Sequence, residues 1–198
     1  IVETAVEFSQ SSTENSTLRP SGDDFRTIWQ KPGHPTVLQI IDQRKLPHEY
    51  VIQDLETWED GAAAIRDMLV RGAPLIGATA AWSLYLAAVA EQDADVCGAS
   101  VLSAADALAE TRPTAVNLRW ALDRMRNVIA GCRPDHLVQC LEDEARAICD
   151  EDVEISRGIG MQGLALIEES FWDGMVWHEY LPSLLGIEAP ELSAQALS

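Results

Sequence analysis

The stretch Ala73–Ala90 runs for eighteen residues without a charged side chain. A segment that long and that apolar belongs inside a bilayer or at the centre of a folded domain. Pro74, Gly77, Thr79 and Ser83 interrupt it, which favours a buried core helix over a membrane span. Pro74 falls near the first turn of that helix, where its missing amide proton costs nothing. The expected helix covers residues 75–90, and the rest of the chain must supply the layers that bury it.

The chain has 198 residues, and a domain of about 150 residues already buries roughly 70% of its unfolded surface, so such a core is attainable. Thirty-two acidic residues against fourteen basic ones give a formal charge of −18. That field repels nucleic-acid phosphates and anionic lipid headgroups, so neither nucleic acid nor a membrane is expected as a partner. A phosphorylated metabolite is still compatible with it, provided a few arginines and backbone amides converge at one point. The first residues lack the basic and apolar regions of a signal peptide. Cys97, Cys132, Cys140 and Cys149 are spaced neither as a C-x-x-C metal site nor as a dense disulfide scaffold. They read as reduced thiols in or near a helical core, which places the protein in the cytoplasm.

Residues 1–24 are rich in Ser, Thr and acidic side chains, with little apolar periodicity, and read as a disordered leader. From Phe25 the character changes. Arg26-Thr27-Ile28-Trp29, a Lys31-Pro32-Gly33-His34-Pro35 turn and β-branched residues 36–41 predict a hairpin, with a third strand at 48–52. Thr57 is a candidate N-cap with Asp60 three residues on, opening an amphipathic helix over 58–69. Further helices are predicted at 75–90, 100–110, 115–129 and 135–168. The fold class is α+β and mainly helical: a small N-terminal antiparallel sheet followed by a helical bundle. Boundaries near residue 24 and near Ser170 divide the chain into the leader 1–24, a domain at 25–170 and a tail at 171–198.

Two strings combine a loop arginine with a helix start. In Val70-Arg71-Gly72-Ala73-Pro74-Leu75-Ile76-Gly77, Gly72 permits a backbone conformation that a Cβ would prevent, and the following helix offers amide protons to an anion. Arg71 then either clamps a phosphate or sugar hydroxyl or faces solvent in a plain helix–helix turn. In Thr111-Arg112-Pro113-Thr114-Ala115-Val116-Asn117-Leu118, Thr114 is available as an N-cap, and Arg112 is either a second anion ligand or a solvated loop residue. Two such helix starts could converge on one ligand. His34, His48, His136 and His178 lack the i, i+4 spacing of a zinc motif, and no metal site is expected. Asp42, Asp54, Asp67 and Asp123 are too dispersed to nominate a carboxylate pair, while Asp67 and Arg71 have the spacing of a helical ion pair.

Taken with Arg26-Thr27-Ile28-Trp29, Ile41-Asp42-Gln43-Arg44-Lys45-Leu46-Pro47, Ala64-Ile65-Arg66-Asp67-Met68 and Glu154-Ile155-Ser156-Arg157-Gly158-Ile159-Gly160, these strings resemble the N-terminal domain of methylthioribose-1-phosphate isomerases, within the initiation factor 2B-like superfamily. The resemblance runs from about Arg26 to about Leu166. It implies an aldose–ketose isomerase of methionine salvage, converting methylthioribose 1-phosphate to methylthioribulose 1-phosphate without a cofactor. It implies substrate binding by Arg71, Gly72, Ala73 and Arg112. Family members continue into a Rossmann-like domain carrying a catalytic cysteine and a proton-donating aspartate. Neither motif is found in this sequence, and Cys97, Cys132, Cys140 and Cys149 lack the catalytic context, so no catalytic residue is assigned. The expectation is a truncated, catalytically incomplete form with a divergent tail, binding a sugar phosphate and pairing as a homodimer or with a separate C-terminal half. Two other readings are a non-catalytic regulatory or assembly protein, like the regulatory subunits of initiation factor 2B, and an isomerase of a related sugar phosphate.

Overall fold

In the computed structural model, which describes residues 26–91 and 97–171, the uncharged stretch is helix α2, Ala73–Ala90, and every residue from Leu75 to Ala88 is buried. It is apolar on all sides, so it has no solvent face and needs neighbours all round. Helices α1 (Trp58–Arg66), α3 (Cys97–Ala109), α4 (Val116–Gly131) and α5 (Leu137–Phe171) and the sheet provide them. By length and composition α2 could cross a membrane, but 78% of it is buried inside the protein. Its Thr79 and Ser83 hydroxyls are satisfied within the helix, Thr79 donating to the Leu75 carbonyl and Ser83 to the Thr79 carbonyl, each at 2.7 Å. Leu84, Leu108, Leu118, Leu122, Met125 and Leu141 close the core around it with under 2% exposure. Each such side chain contributes about 1.5–3 kcal/mol by leaving water. The expected leader at 1–24 and tail at 171–198 fall almost entirely outside the described residues.

The sheet has three antiparallel strands in the order β1 (Ile28–Lys31), β2 (His34–Ile41), β3 (Ile52–Leu55). The hairpin turn is shorter than the sequence suggests, because Gly33 adopts φ 78° and reverses the chain directly after Pro32. The third strand lies later than the expected 48–52. Placing Leu55 opposite Leu38 puts both on the core face and sets Asp54 beside Gln39 on the other. There Trp29 donates through Nε1 to Gln39 Oε1 at 2.9 Å, Gln39 donates to Asp54 Oδ1 at 2.8 Å, and Lys31 pairs with Asp54 at 2.5 Å. Asp54 is therefore held inside a cross-strand row.

The entry to α1 follows expectation. Thr57 caps the helix and accepts from the Asp60 amide, while the Asp60 carboxylate accepts from the Thr57 amide. Thr57→Ala should lower stability by about 1 kcal/mol, read as a shifted denaturation midpoint with an unchanged denaturant slope.

The exit of α1 differs: the helix ends at Arg66 rather than near residue 69. Met68 takes a left-handed conformation with φ 62°, the Leu69 amide donates to the Ala64 carbonyl at 2.9 Å, and the Met68 amide reaches the Ile65 carbonyl. This is a Schellman termination with methionine where glycine usually stands. The chain is thereby turned at Leu69 and Val70 toward the start of α2.

Helix α4 starts at Val116, and its N-cap is Ala115 instead of Thr114. Helix α5 is 35 residues long, about 52 Å at 1.5 Å per residue. Leu137, Leu141, Ala145 and Ile148 bury its first half against the bundle. Arg124 of α4 ties α5 down through Glu144 and, at 2.5 and 2.6 Å, through Glu151. Arg146 lies over the Trp82 ring at 5.6 Å and donates to Gln30 of β1. The cysteines depart from the reduced-thiol expectation. Cys132 and Cys140 are disulfide-bonded across the α4–α5 connection, and half-buried Cys149 accepts from Trp82 Nε1 at 3.4 Å.

Candidate functional site: a carboxylate-free cavity between two helix starts

The first turns of α2 and α4 meet because Gly77 has no side chain. A Cβ there would lie 3.0 Å from the Asn117 carbonyl oxygen and 3.4 Å from the Ala121 Cβ. Gly77 thus lets the two helix starts open side by side onto one cavity of about 510 Å³. Met68, Arg71, Gly72, Ala73 and Ile76 line it from one side, and Arg112, Thr114, Ala115, Val116 and Asn117 from the other. All four residues expected to bind substrate, Arg71, Gly72, Ala73 and Arg112, share this space.

Neither helix start is closed by a side chain. The N-caps Gly72 and Ala115 make no side-chain capping bond. The first intrahelical amide bonds are those from Ile76 to the Gly72 carbonyl and from Arg119 to the Ala115 carbonyl. The amides of Ala73 and Leu75 in α2, and of Val116, Asn117 and Leu118 in α4, therefore have no acceptor within their own helices. Gly72 has φ 90° and ψ 135°, a conformation closed to side-chain-bearing residues except under strain. Two positive dipole ends and their amides form an environment suited to an anion.

The charges agree with that. Arg44, Arg66, Arg124, Arg126, Arg133 and Arg146 are each paired with a carboxylate. The side chains of Arg71 and Arg112 have no hydrogen-bond or ion-pair partner among the described residues, and among those residues no Asp or Glu lines the cavity. In a chain with more than twice as many acids as bases, two uncompensated arginines facing one cavity are a local reversal of sign. The i, i+4 pairing of Asp67 with Arg71 does not form, because α1 ends between them. Asp67 pairs with Arg66 at 3.3 Å instead, which leaves the Arg71 guanidinium available.

The cavity wall is braced from the sheet side. Gln43 donates its amide to the Leu69 carbonyl at 2.9 Å, just before Val70 and Arg71. That loop is held by Asp42, 5% exposed, which accepts from Arg44 Nε at 2.9 Å, Arg44 Nη2 at 2.7 Å and the Arg44 amide at 3.1 Å. The guanidinium bonds hold the Asp42 carboxyl below the usual carboxylate range, against the opposing effect of burial. The folded chain therefore holds this proton less tightly than the unfolded chain does. The stability Asp42 contributes is complete above the ordinary aspartate value of about 4 and is lost as pH falls through the lower folded value. Asp42→Asn should flatten the acid limb of a plot of thermal midpoint against pH, relative to the parent. An unchanged limb would show that Asp54 and Glu151, also held low by Lys31 and Arg124 respectively, carry the whole effect.

Residues the sequence did not nominate complete the lining. Met68, Ile76 and Val116 give it an apolar wall, with Met68 38% and Val116 77% exposed. Asn117 stood inside the second arginine string, which was the available signal for it. Met68 gave none, since its place depends on a left-handed turn.

The architecture is a small antiparallel sheet on a helical bundle, with a cavity where two helix starts meet. The chain belongs to the Initiation factor 2 subunit family, which it matches over residues 69–172, just over half its length. It is 51% identical over 152 residues to the methylthioribose-1-phosphate isomerase of Cereibacter sphaeroides, covering 77% of this chain and 40% of that one. Among solved structures it is similar to 5-methylthioribose 1-phosphate isomerase from Pyrococcus horikoshii OT3, with TM-score 0.63 and 35% identity over 70% of this chain and 39% of that one. It is equally similar to translation initiation factor eIF-2B, subunit delta, from A. fulgidus, with TM-score 0.64 and 37% identity over 71% of this chain and 41% of that one. The chain spans about two fifths of the length of the curated isomerases it matches.

Proposed function

We propose that this chain is the sugar-phosphate-holding part of a methylthioribose-1-phosphate isomerase, with the phosphate bound by Arg71, Arg112 and the amides that open α2 and α4. The observation that carries this reading is the convergence of two unpaired arginines and two uncapped helix starts on one carboxylate-free cavity. Met68, Ile76 and Val116 offer the apolar end of such a ligand, a methylthio group, an apolar surface to lie against.

The isomerisation moves hydrogen between C1 and C2 of the sugar and requires a group to take and return a proton. Among the described residues no Cys, His, Asp, Glu, Lys or Tyr lines the cavity. The residues present can hold and orient the ligand, and positioning of this kind supplies several kcal/mol of a rate enhancement. Proton transfer would fall to groups outside the cavity lining, from another segment or from a second chain.

The test is calorimetric titration with methylthioribose 1-phosphate and, separately, with inorganic phosphate, with a turnover assay on the same preparation. Binding without turnover supports a holding role. Turnover would place the missing acid and base within this chain, and absence of binding would sink the reading.

A second reading, a non-catalytic assembly protein, draws support from the likeness to the eIF-2B subunit and from α5. Beyond the bundle, Ile155 and Ile159, one turn apart on the same face, are 62% and 68% exposed. Such a pair suits contact with a second copy or a separate polypeptide. Light scattering that reports an assembly, together with no binding of the sugar phosphate, would favour this reading.

A further inference from the structure

The disulfide between Cys132 and Cys140 closes the connection from α4 to α5. Cys132 is the extended C-cap of α4, and Cys140 is the fourth residue of α5. Between them lie Arg133, the 3-10 turn Pro134–His136 and the first three residues of α5. Both cysteines are half-buried, so an external thiol has access to the pair.

The two cysteines sit at helix ends of opposite polarity. Cys140 is in the first turn of a 35-residue helix, at the positive dipole end, which stabilises a thiolate. Cys132 follows the end of α4, where the dipole is negative. Of the charged side chains nearby, Asp135 is paired with Arg133 at 2.6 Å and Glu144 with Arg124, while Asp143, one turn beyond Cys140, is held at 2.8 Å by the neutral Gln139 amide and keeps its charge. His136 lies 3.6 Å from Asp135. The two helix ends favour the thiolate on Cys140 over that on Cys132, against the opposing charge of Asp143.

We propose that Cys132 and Cys140 form a reversible thiol-exchange site for small thiols of the glutathione class, with Cys132 the sulfur attacked and Cys140 the leaving thiolate. In the first step an external thiolate bonds to the Cys132 sulfur, the Cys132–Cys140 bond breaks, and its electron pair stays on Cys140. In the second step another external thiolate attacks the external sulfur of this mixed disulfide and releases Cys132. Two external thiols are oxidised to one disulfide, and the protein pair gains two electrons and, once protonated, two protons. The direction follows from leaving-group chemistry, since exchange is faster when the departing thiol has the lower pKa. Leu137 and Leu141, 2% and 0% exposed, anchor the start of α5 in the core independently of the bond, so opening is expected to free the connection without unfolding the bundle. Loss of the short cross-link should lower the thermal midpoint by roughly 5 °C.

The test uses the full chain with its four cysteines. After equilibration in mixtures of reduced and oxidised glutathione, alkylation and peptide mapping should show Cys132 and Cys140 protected together in oxidising mixtures and both alkylated in reducing ones. Acid quenching during reduction should trap glutathione on Cys132. The pH dependence of alkylation should give Cys140 in a Cys132→Ser variant a lower pKa than Cys132 in a Cys140→Ser variant. Free Cys132 and Cys140 in every mixture would overturn the exchange site. Glutathione trapped on Cys140, or the reverse order of pKa values, would overturn the assignment of roles. The wild-type measurements stand even if a serine variant folds poorly.

Discussion

Replacement of both Arg71 and Arg112 by alanine should reduce affinity for methylthioribose 1-phosphate by about 100-fold or more while leaving the fold intact. A hydrogen bond to a charged group is worth about 1.5–3 kcal/mol, roughly ten- to a hundredfold for each arginine that contacts the phosphate. The two effects need not add, because both guanidiniums would serve one anion. Stability should move by no more than about 0.5 kcal/mol, since neither side chain has a partner among the described residues and Arg71 is exposed. Lysine at either position keeps the charge but not the planar fork, and should recover part of the affinity. Calorimetry and thermal melts on the single, double and lysine variants read these outcomes. Equal affinity in the double variant would remove the cavity from consideration as the phosphate site. A large loss of stability would instead make the arginines structural.

Gly61→Ala should destabilise the protein by about 1–3 kcal/mol, the usual range for forcing a methyl group into a packed core. Gly61 faces α2 from α1, and a Cβ there would lie 1.9 Å from Ser83 Oγ and 3.0 Å from Ser83 Cβ. Ser83 is fully buried, and its hydroxyl is engaged with the Thr79 carbonyl at 2.7 Å, so rotation away from the intruder costs that bond. Helical propensity alone would favour alanine over glycine by up to about 1 kcal/mol, which makes the sign of the result informative. Adding Ser83→Ala removes the closer of the two contacts and should restore part of the loss. Denaturant titration of the two single variants and the double variant isolates the coupling. A stabilised Gly61→Ala chain would mean that α1 and α2 are not packed this closely.

Much of the scaffold could be read from local chemistry. An uncharged eighteen-residue run can satisfy its backbone only as a helix and its side chains only by burial, so the place of α2 at the centre followed from composition. The Thr57–Asp60 capping box and the Pro32–Gly33 turn are local devices whose partners lie within four residues. The two arginine strings could be picked out because each sets a loop arginine beside a helix start, whose amides suit an anion.

What escaped the sequence depends on contacts between distant residues. The place of β3 was decided by pairing Leu38 with Leu55 and by the row from Trp29 through Gln39 to Asp54, seventeen and fifteen residues apart for the two β2–β3 pairs. The bond between Cys132 and Cys140 required the turn that brings the end of α4 to the start of α5.

By itself the sequence determined a mainly helical domain around one buried helix, its family resemblance, and the residues able to meet a phosphate. Tertiary structure alone decided that Arg71 and Arg112 face one cavity. Their strings lie some forty residues apart, and they meet because Gly77 lets α4 approach α2 and because the left-handed turn at Met68 ends α1 before Asp67 can pair with Arg71. Convergence of that kind is a property of packing, which is fixed by long-range steric fit and leaves no periodic trace along the chain.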